Sequence, residues 1–237
     1  MDLSQGIARV RESTIAVFRY RVLTPPQVNI GWGSGFCIVD DRYIATAFHV
    51  LNGGQPRDPS DRFLAFVVPG NGDPAFHFPV VGFPVERPDL DLAVLEIGAC
   101  ATPGIRLPAL PVALSAQPDG TRVVTLGFPA PEVSGLNIDQ GGTYQGGQFF
   151  LKSHANEGIV SAQYSLGVAR MYELNVGWHH GESGGPVVRL EDPTAAFTVM
   201  QHYRNIASPH GMLAGPRRGC ALSAIDQDLR RLGATLV

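Results

Sequence analysis

Ser183 stands between glycines in Gly181-Glu182-Ser183-Gly184-Gly185-Pro186 and is followed directly by the β-branched pair Val187-Val188. Upstream, Thr46-Ala47-Phe48-His49-Val50 supplies an imidazole, and Asp91-Leu92-Ala93-Val94-Leu95 a carboxylate. A serine hydroxyl is a weak nucleophile near neutral pH, so attack on a carbonyl needs a neighbouring base to accept its proton, and an imidazole suits that task. A carboxylate beside the imidazole would hold the useful tautomer and stabilise the imidazolium without itself becoming protonated. Brought together, these three groups would perform acyl transfer through a covalent intermediate.

In this order and context the three segments resemble the chymotrypsin-like serine proteases, most closely the bacterial HtrA-type and glutamyl-endopeptidase branches. The resemblance implies peptide-bond hydrolysis with Ser183 as nucleophile, His49 as general base and acid, Asp91 as its orienter, and no cofactor. Asp89 is the competing carboxylate, but the family places its acid immediately before an alternating apolar strand, a condition Asp91 meets. The backbone N–H groups of Gly181 and Ser183 would form the oxyanion hole, each such donor contributing about 3–4 kcal/mol to the transition state. Gly181 lets the chain turn where a side chain would obstruct.

The resemblance also implies a substrate pocket. Gly177, Trp178, His179 and His180 resemble its wall, and Gly177 occupies the place where trypsin-type enzymes keep an acidic residue, which argues against preference for Lys or Arg. His202, in the run Phe197 to Tyr203, resembles the histidine with which glutamyl endopeptidases and picornavirus-type cysteine proteases read Glu or Gln. A structural strand histidine is the equal alternative. Tyr203, Arg204 and Asn205 fall where the family's backbone pairs with an extended substrate by strand addition.

Several residues depart from the family. Phe48 replaces the small residue that usually precedes the histidine, and a packing role accounts for it. Val50 stands where many secreted relatives have a cysteine bridged to a strand near Cys37. Glu182 stands where zymogen-derived enzymes have an aspartate that pairs with a freshly cut N-terminus, and HtrA-type enzymes an asparagine. There is no Arg-Ile-Val-Gly-Gly activation site, so the loop is either preformed or ordered by an activating partner protein, substrate or oligomer.

Two competing classes remain. The nucleophile loop also satisfies Gly-x-Ser-x-Gly, the elbow of α/β-hydrolase esterases, but that elbow needs a helix directly after the serine. Pro186-Val187-Val188 argues for a strand there, and His202 and His210 lack the surroundings such an enzyme expects. The second class is a peptide-binding module on the protease fold, catalytically silent because its oxyanion loop stays collapsed.

The elements expected to position these groups are short β-rich runs separated by turn clusters, a pattern of antiparallel barrels. Ser13 to Val22, Gly35 to Val39, Tyr43 to Ala47, Arg62 to Val68, Ala75 to Val81 and Leu92 to Ile97 read as strands of a first half. Arg122 to Pro129, Gly158 to Ala162 and Pro186 to Leu190 read as strands of a second. The expectation is all-β: two six-stranded antiparallel barrels, residues 1–105 with His49 and Asp91 and 106–222 with Ser183. A C-terminal helix over 223–237 would follow, capped at Ser223 and burying Ile225, Leu229 and Leu232. Gln140 to Gln148, rich in glycine, reads as a mobile loop with no phosphate-cradling motif.

The 237 residues are enough for such a core, with 44% hydrophobic and 16% charged residues. A formal net charge of −3 offers no basic face, so nucleic acid is not an expected partner; a protein or peptide substrate is. Cys37, Cys100 and Cys220 are odd in number and far apart, which favours buried free thiols over disulfides or a metal motif. Adjacent His179 and His180 would point opposite ways on an extended chain, and no metal is expected. The first twelve residues mix charge with apolar side chains and show no secretory core, and no stretch approaches a membrane span. With the cysteine usage, this favours a cytoplasmic location.

Overall fold

Thr-Ile-Ala-Val-Phe-Arg-Tyr-Arg-Val is the first long β-branched and aromatic run, and in the computed structural model it forms strand β1, Thr14–Val22. The structure describes residues 3–24, 27–53, 57–70, 73–139, 141–177, 179–201, 205–208, 211–214 and 216–237. Ahead of β1 lies a helix that the sequence pattern did not announce, α1 (Leu3–Ser13). Val10 is its fully buried residue, and Thr14 closes it by donating from Oγ1 to the Val10 carbonyl at 2.7 Å.

β1 is followed by β2 (Val28–Val39), β3 (Tyr43–Thr46), the short helix α2 (Phe48–Asn52), β4 (Arg62–Val67), β5 (Phe76–Arg87) and β6 (Leu92–Ile97). These six strands close into an antiparallel barrel in the order β1-β2-β3-β6-β5-β4. Its interior holds Ile15, Val17, Ile44, Leu51, Phe63, Phe78, Leu95 and Ile97. Phe48 packs against that interior, as its size suggested.

The second half contains β7 (Arg122–Gly127), β8 (Glu132–Ile138), β9 (Tyr144–Phe150), β10 (His154–Leu166), β11 (Ala169–Val176) and β12 (Pro186–Arg189). β13 (Ala196–Val199), β14 (Asn205–Ser208), β15 (Gly211–Ala214) and β16 (Arg217–Cys220) complete it. Six of these form an antiparallel sheet, β13-β12-β7-β10-β11-β16. Bridges Thr198↔Ala221 and Gln201↔Arg218 draw its two edges together, so this barrel is nearly closed around Val123, Val160, Tyr172, Leu174 and Phe197. The double-barrel fold read from the sequence is the fold the chain adopts.

A shared apolar layer joins the barrels: Phe36, Ile38, Tyr43 and Val94 from the first meet Val124, Leu126, Val188 and Val199 from the second. The C-terminal segment covers that layer with Leu222, Ile225 and Leu229. It begins as a 3₁₀ turn, Leu222–Ile225, and continues as α3 (Asp226–Leu232). The caps therefore fall at Ala221 and Ile225 without side-chain bonds, and the expected cap at Ser223 is corrected: that residue lies inside the 3₁₀ turn.

The region from Gln140 to Gln148 also differs from its reading as a loop. Most of it belongs to the β8–β9 hairpin, whose turn is tied by the Thr143 N–H to Asp139 Oδ1 at 2.8 Å. The hairpin folds over the first barrel, where Phe149 meets Phe18, Trp32 and Phe66 with ring centroids 4.3 to 5.9 Å apart. Glycines hid an alternating strand whose aromatic residues, not its average composition, decide its conformation.

The described cysteines are free, Cys37 and Cys220 buried and Cys100 half-buried. Desolvation pushes the Cys37 and Cys220 thiols up to about 12, so both stay protonated at pH 8 and neither offers a thiolate. A disulfide-exchange reagent at pH 8 is expected to titrate one thiol per native chain, at Cys100, and three after denaturation. Fast native reaction of two or three thiols would contradict this burial.

Candidate active site

His49 lies in α2, directly after β3, and Asp91 in the turn that leads into β6. β3 and β6 pair with Thr46 opposite Ala93, which brings the two segments side by side. Helix α2 is seated on β2 at Gly33, where an added Cβ would come within 2.4 Å of the Val50 methyl carbons. The Asp91 carboxylate then grips His49 twice. Its Oδ1 accepts the His49 backbone N–H at 2.8 Å, and the ring Nδ1 lies 2.8 Å from Oδ2 and 3.1 Å from Oδ1. An ionised carboxylate only accepts, so Nδ1 carries the hydrogen and Nε2 becomes the basic nitrogen of the neutral ring.

Asp91 has φ of +53°, a left-handed conformation that costs a non-glycine residue free energy unless its surroundings hold it. Its carbonyl accepts the Phe48 N–H at 3.1 Å and Gln201 Nε2 at 2.9 Å. Gln201, itself buried, also donates to the Leu90 carbonyl at 2.9 Å. Asp89, the alternative carboxylate, instead bonds Arg87 at the surface at 2.8 Å, and that guanidinium holds its carboxyl below the usual range.

The serine loop is shaped by two glycines with positive φ, Gly181 at +102° and Gly184 at +89°. Neither tolerates a side chain: a Cβ would lie 2.4 Å from the Phe128 carbonyl at Gly181 and 2.0 Å from the Ser34 carbonyl at Gly184. Ser34, on β2, reaches across the barrel interface to the loop. Its N–H donates to the Ser183 carbonyl at 2.7 Å, and its Oγ donates to the Gly181 carbonyl at 2.6 Å while accepting the Phe128 N–H at 2.9 Å.

Peptide planes are trans and flat, so a carbonyl tied on one side turns the N–H of the next residue to the other. The His180 carbonyl accepts the Ala130 N–H at 3.0 Å, which turns the Gly181 N–H away from Ala130. The Glu182 carbonyl accepts the Gly185 N–H at 3.1 Å, which turns the Ser183 N–H away from that bond. Among the described residues, the N–H groups of Glu182, Gly184 and Gly185 have backbone acceptors, whereas those of Gly181 and Ser183 have none. Ala130 adopts φ of +42° to make its bond, a second strained non-glycine residue at this site.

Glu182 is 2% exposed and its carboxylate is fully engaged. Oε1 accepts Asn156 Nδ2 and Oε2 accepts the His179 N–H, both at 2.8 Å. Asn156 lies on β10 of the same half of the chain, so the buried carboxylate is satisfied without a cleaved terminus.

His49, Gly181 and Ser183 line one cleft of about 450 Å³, together with His180 and with Arg19, Ile30, Gly31, Trp32 and Gly53, the last closing the helix that carries His49. His179 faces a neighbouring pocket with Lys152 and His154, and Gly177 is exposed beside Asn156. Trp178, His202, Tyr203 and Arg204 lie outside the described residues. Sequence reading missed Ser34, Ala130, Asn156 and Gln201. The signal for Ser34 was a hydroxyl between two glycines at the start of the buried half of β2, and for Gln201 a polar side chain in a buried run.

A family model described as trypsin-like peptidase domain matches residues 33–193. No curated protein matches the chain.

Replacing Glu182 by alanine leaves the half-buried Asn156 amide and the His179 N–H without their acceptors. The expected loss is about 2–3 kcal/mol of unfolding free energy by urea titration, against about 1 kcal/mol for Glu182→Gln, which keeps one acceptor. Equal stability of Glu182→Ala and the parent protein would refute this role.

Proposed function

Because the chain belongs to the trypsin-like peptidase family, we propose that it is a serine endopeptidase working through Ser183, His49 and Asp91. The observation that carries the proposal is the double grip of Asp91 on His49, in the same cleft as Ser183. His49 Nε2 takes the Ser183 proton as Oγ attacks the scissile carbonyl, and the imidazolium is stabilised by Asp91. The oxyanion that forms is met by the Gly181 and Ser183 N–H groups, whose peptide planes are already turned by Ala130 and Gly185. His49 then donates the proton to the departing amine, and water repeats the sequence on the acyl-enzyme.

This geometry favours a working site over a silent binding module. A collapsed loop would turn the His180 carbonyl toward the oxyanion position, whereas here that carbonyl is bonded to Ala130 and the loop is braced by Glu182, Asn156 and Ser34. Activation cleavage is unnecessary in this reading. The strand after Pro186 also removes the helix that an esterase elbow requires.

A fluorophosphonate probe tests the proposal: the parent chain labels and Ser183→Ala does not. Asp91→Asn, which preserves shape and removes charge, lowers kcat by on the order of 10⁴. A correctly folded parent chain that never labels would establish the silent module instead.

On the acyl side, the proposed reader of Glu or Gln is His202, a reading supported by its place in the sequence. A peptide library profiled with His202→Ala loses that preference, and an unchanged profile rejects it.

A further inference from the structure

Arg19 lies in the same cleft beyond the imidazole, at the β1 position paired with Gly31 on β2. Its guanidinium is packed between two glycines. A Cβ on Gly31 would lie 3.1 Å from Nε, and one on Gly53, which ends α2 with φ of +62°, would lie 3.1 Å from Nη2. The two missing side chains make room for this head group.

The charge of Arg19 is poorly matched by its surroundings. Its side chain is 14% exposed, and its one ionic partner among the described residues is Asp61, with Nη1 and Oδ2 at 3.6 Å, too far for a hydrogen bond. Both Asp61 oxygens are already taken by Arg21, at 2.9 Å from Nε and 3.0 Å from Nη2, and Arg21 also reaches Asp58 at 2.7 Å. Arg19 thus has no hydrogen-bond acceptor among the described residues, though it offers five donors in a planar fork. A guanidinium largely withdrawn from water, with its donors open to a cleft, fits a carboxylate bidentately.

Its place tells which part of a ligand would meet it. The departing amine takes its proton from His49, so the leaving-group chain runs past the imidazole toward Val50, Gly53, Gly31 and Arg19. We propose that Arg19 binds a carboxylate on the leaving-group side of the substrate, so that the cleft selects peptides acidic after the scissile bond. The proposal rests on the endopeptidase reading and names the substrate class for that site. The carboxylate is either an Asp or Glu side chain or the peptide's own C-terminus, since both present the same oxygen pair.

Three sets of fluorogenic peptides with a common acyl side separate these sources. Their leaving-group sides carry Glu with an amidated end, Gln with an amidated end, or Gln with a free C-terminal carboxylate. For the parent chain at low salt, kcat/KM is expected to favour one carboxylate set over the all-amide set by about tenfold. That ratio falls toward one in Arg19→Gln, is partly kept in Arg19→Lys, and weakens with added salt. Which set is favoured identifies the source. The same ratio is read as affinity, by fluorescence anisotropy, in Ser183→Ala with and without Arg19→Gln. An Arg19-dependent affinity ratio without any cleavage by the parent chain would uphold Arg19 and reject the endopeptidase reading. Cleavage with no carboxylate preference, or a preference that survives Arg19→Gln, overturns the proposal. If Arg19→Gln does not fold, Gly31→Ala, whose methyl would lie 3.1 Å from Nε and push the guanidinium by a few tenths of an ångström, must lower the same ratio.

Discussion

Ser34 holds the two halves of this molecule in register. It is fully buried, and every polar atom it owns crosses to a different segment: N–H to Ser183, Oγ to Gly181 and Phe128, carbonyl to Thr46 Oγ1. The apolar layer between the barrels supplies non-directional attraction, which alone would allow sliding. Three directed hydrogen bonds from one serine, to Ser183, Gly181 and Phe128, remove that freedom beside Ser183, and the fourth ties Ser34 to Thr46 within its own barrel. The site's geometry is thus a property of the barrel interface more than of either barrel.

Around that anchor the chain accepts local costs where they shape the cleft. Asp91 and Ala130 adopt positive φ, and Glu182 is a buried carboxylate. Each would be unfavourable in isolation by a few kcal/mol, and each is held by bonds to a neighbour of quite different sequence position. Gln201 secures Asp91 from the second barrel, while Asn156 and the His179 N–H satisfy Glu182. A loop held from both sides in this way takes its shape from the folded barrels themselves.

The parts legible in the sequence were those governed by local rules. Alternating apolar runs disclosed most strands, and the glycine-flanked serine, the histidine and the aspartate stood out by type and surroundings. Choosing Asp91 over Asp89 also had a local basis, and the two do have different partners, His49 and Arg87. What was not legible depends on tertiary neighbours. Tyr144 to Gln148 reads as part of a loop until Phe18, Trp32 and Phe66 supply an aromatic surface for the next residue of the same strand, Phe149, to cover. Ser34, Asn156 and Gln201 are ordinary polar residues whose meaning comes from groups distant in sequence, Gly181 lying 147 positions from Ser34 and Ser183 farther still. Helix α1 is amphipathic over too few turns to be distinguished from a terminal coil before Val10 finds its place between the barrels.

The latch between Ser34 and the loop that carries Ser183 also sets when the cleft acquires its shape. His49 and Asp91 belong to the first barrel, whereas the peptide planes beside Ser183 are held by Ser34 from that barrel and by Ala130 from the second half. The cleft is therefore complete only once both barrels are folded and docked, and its assembly coincides with the completion of folding.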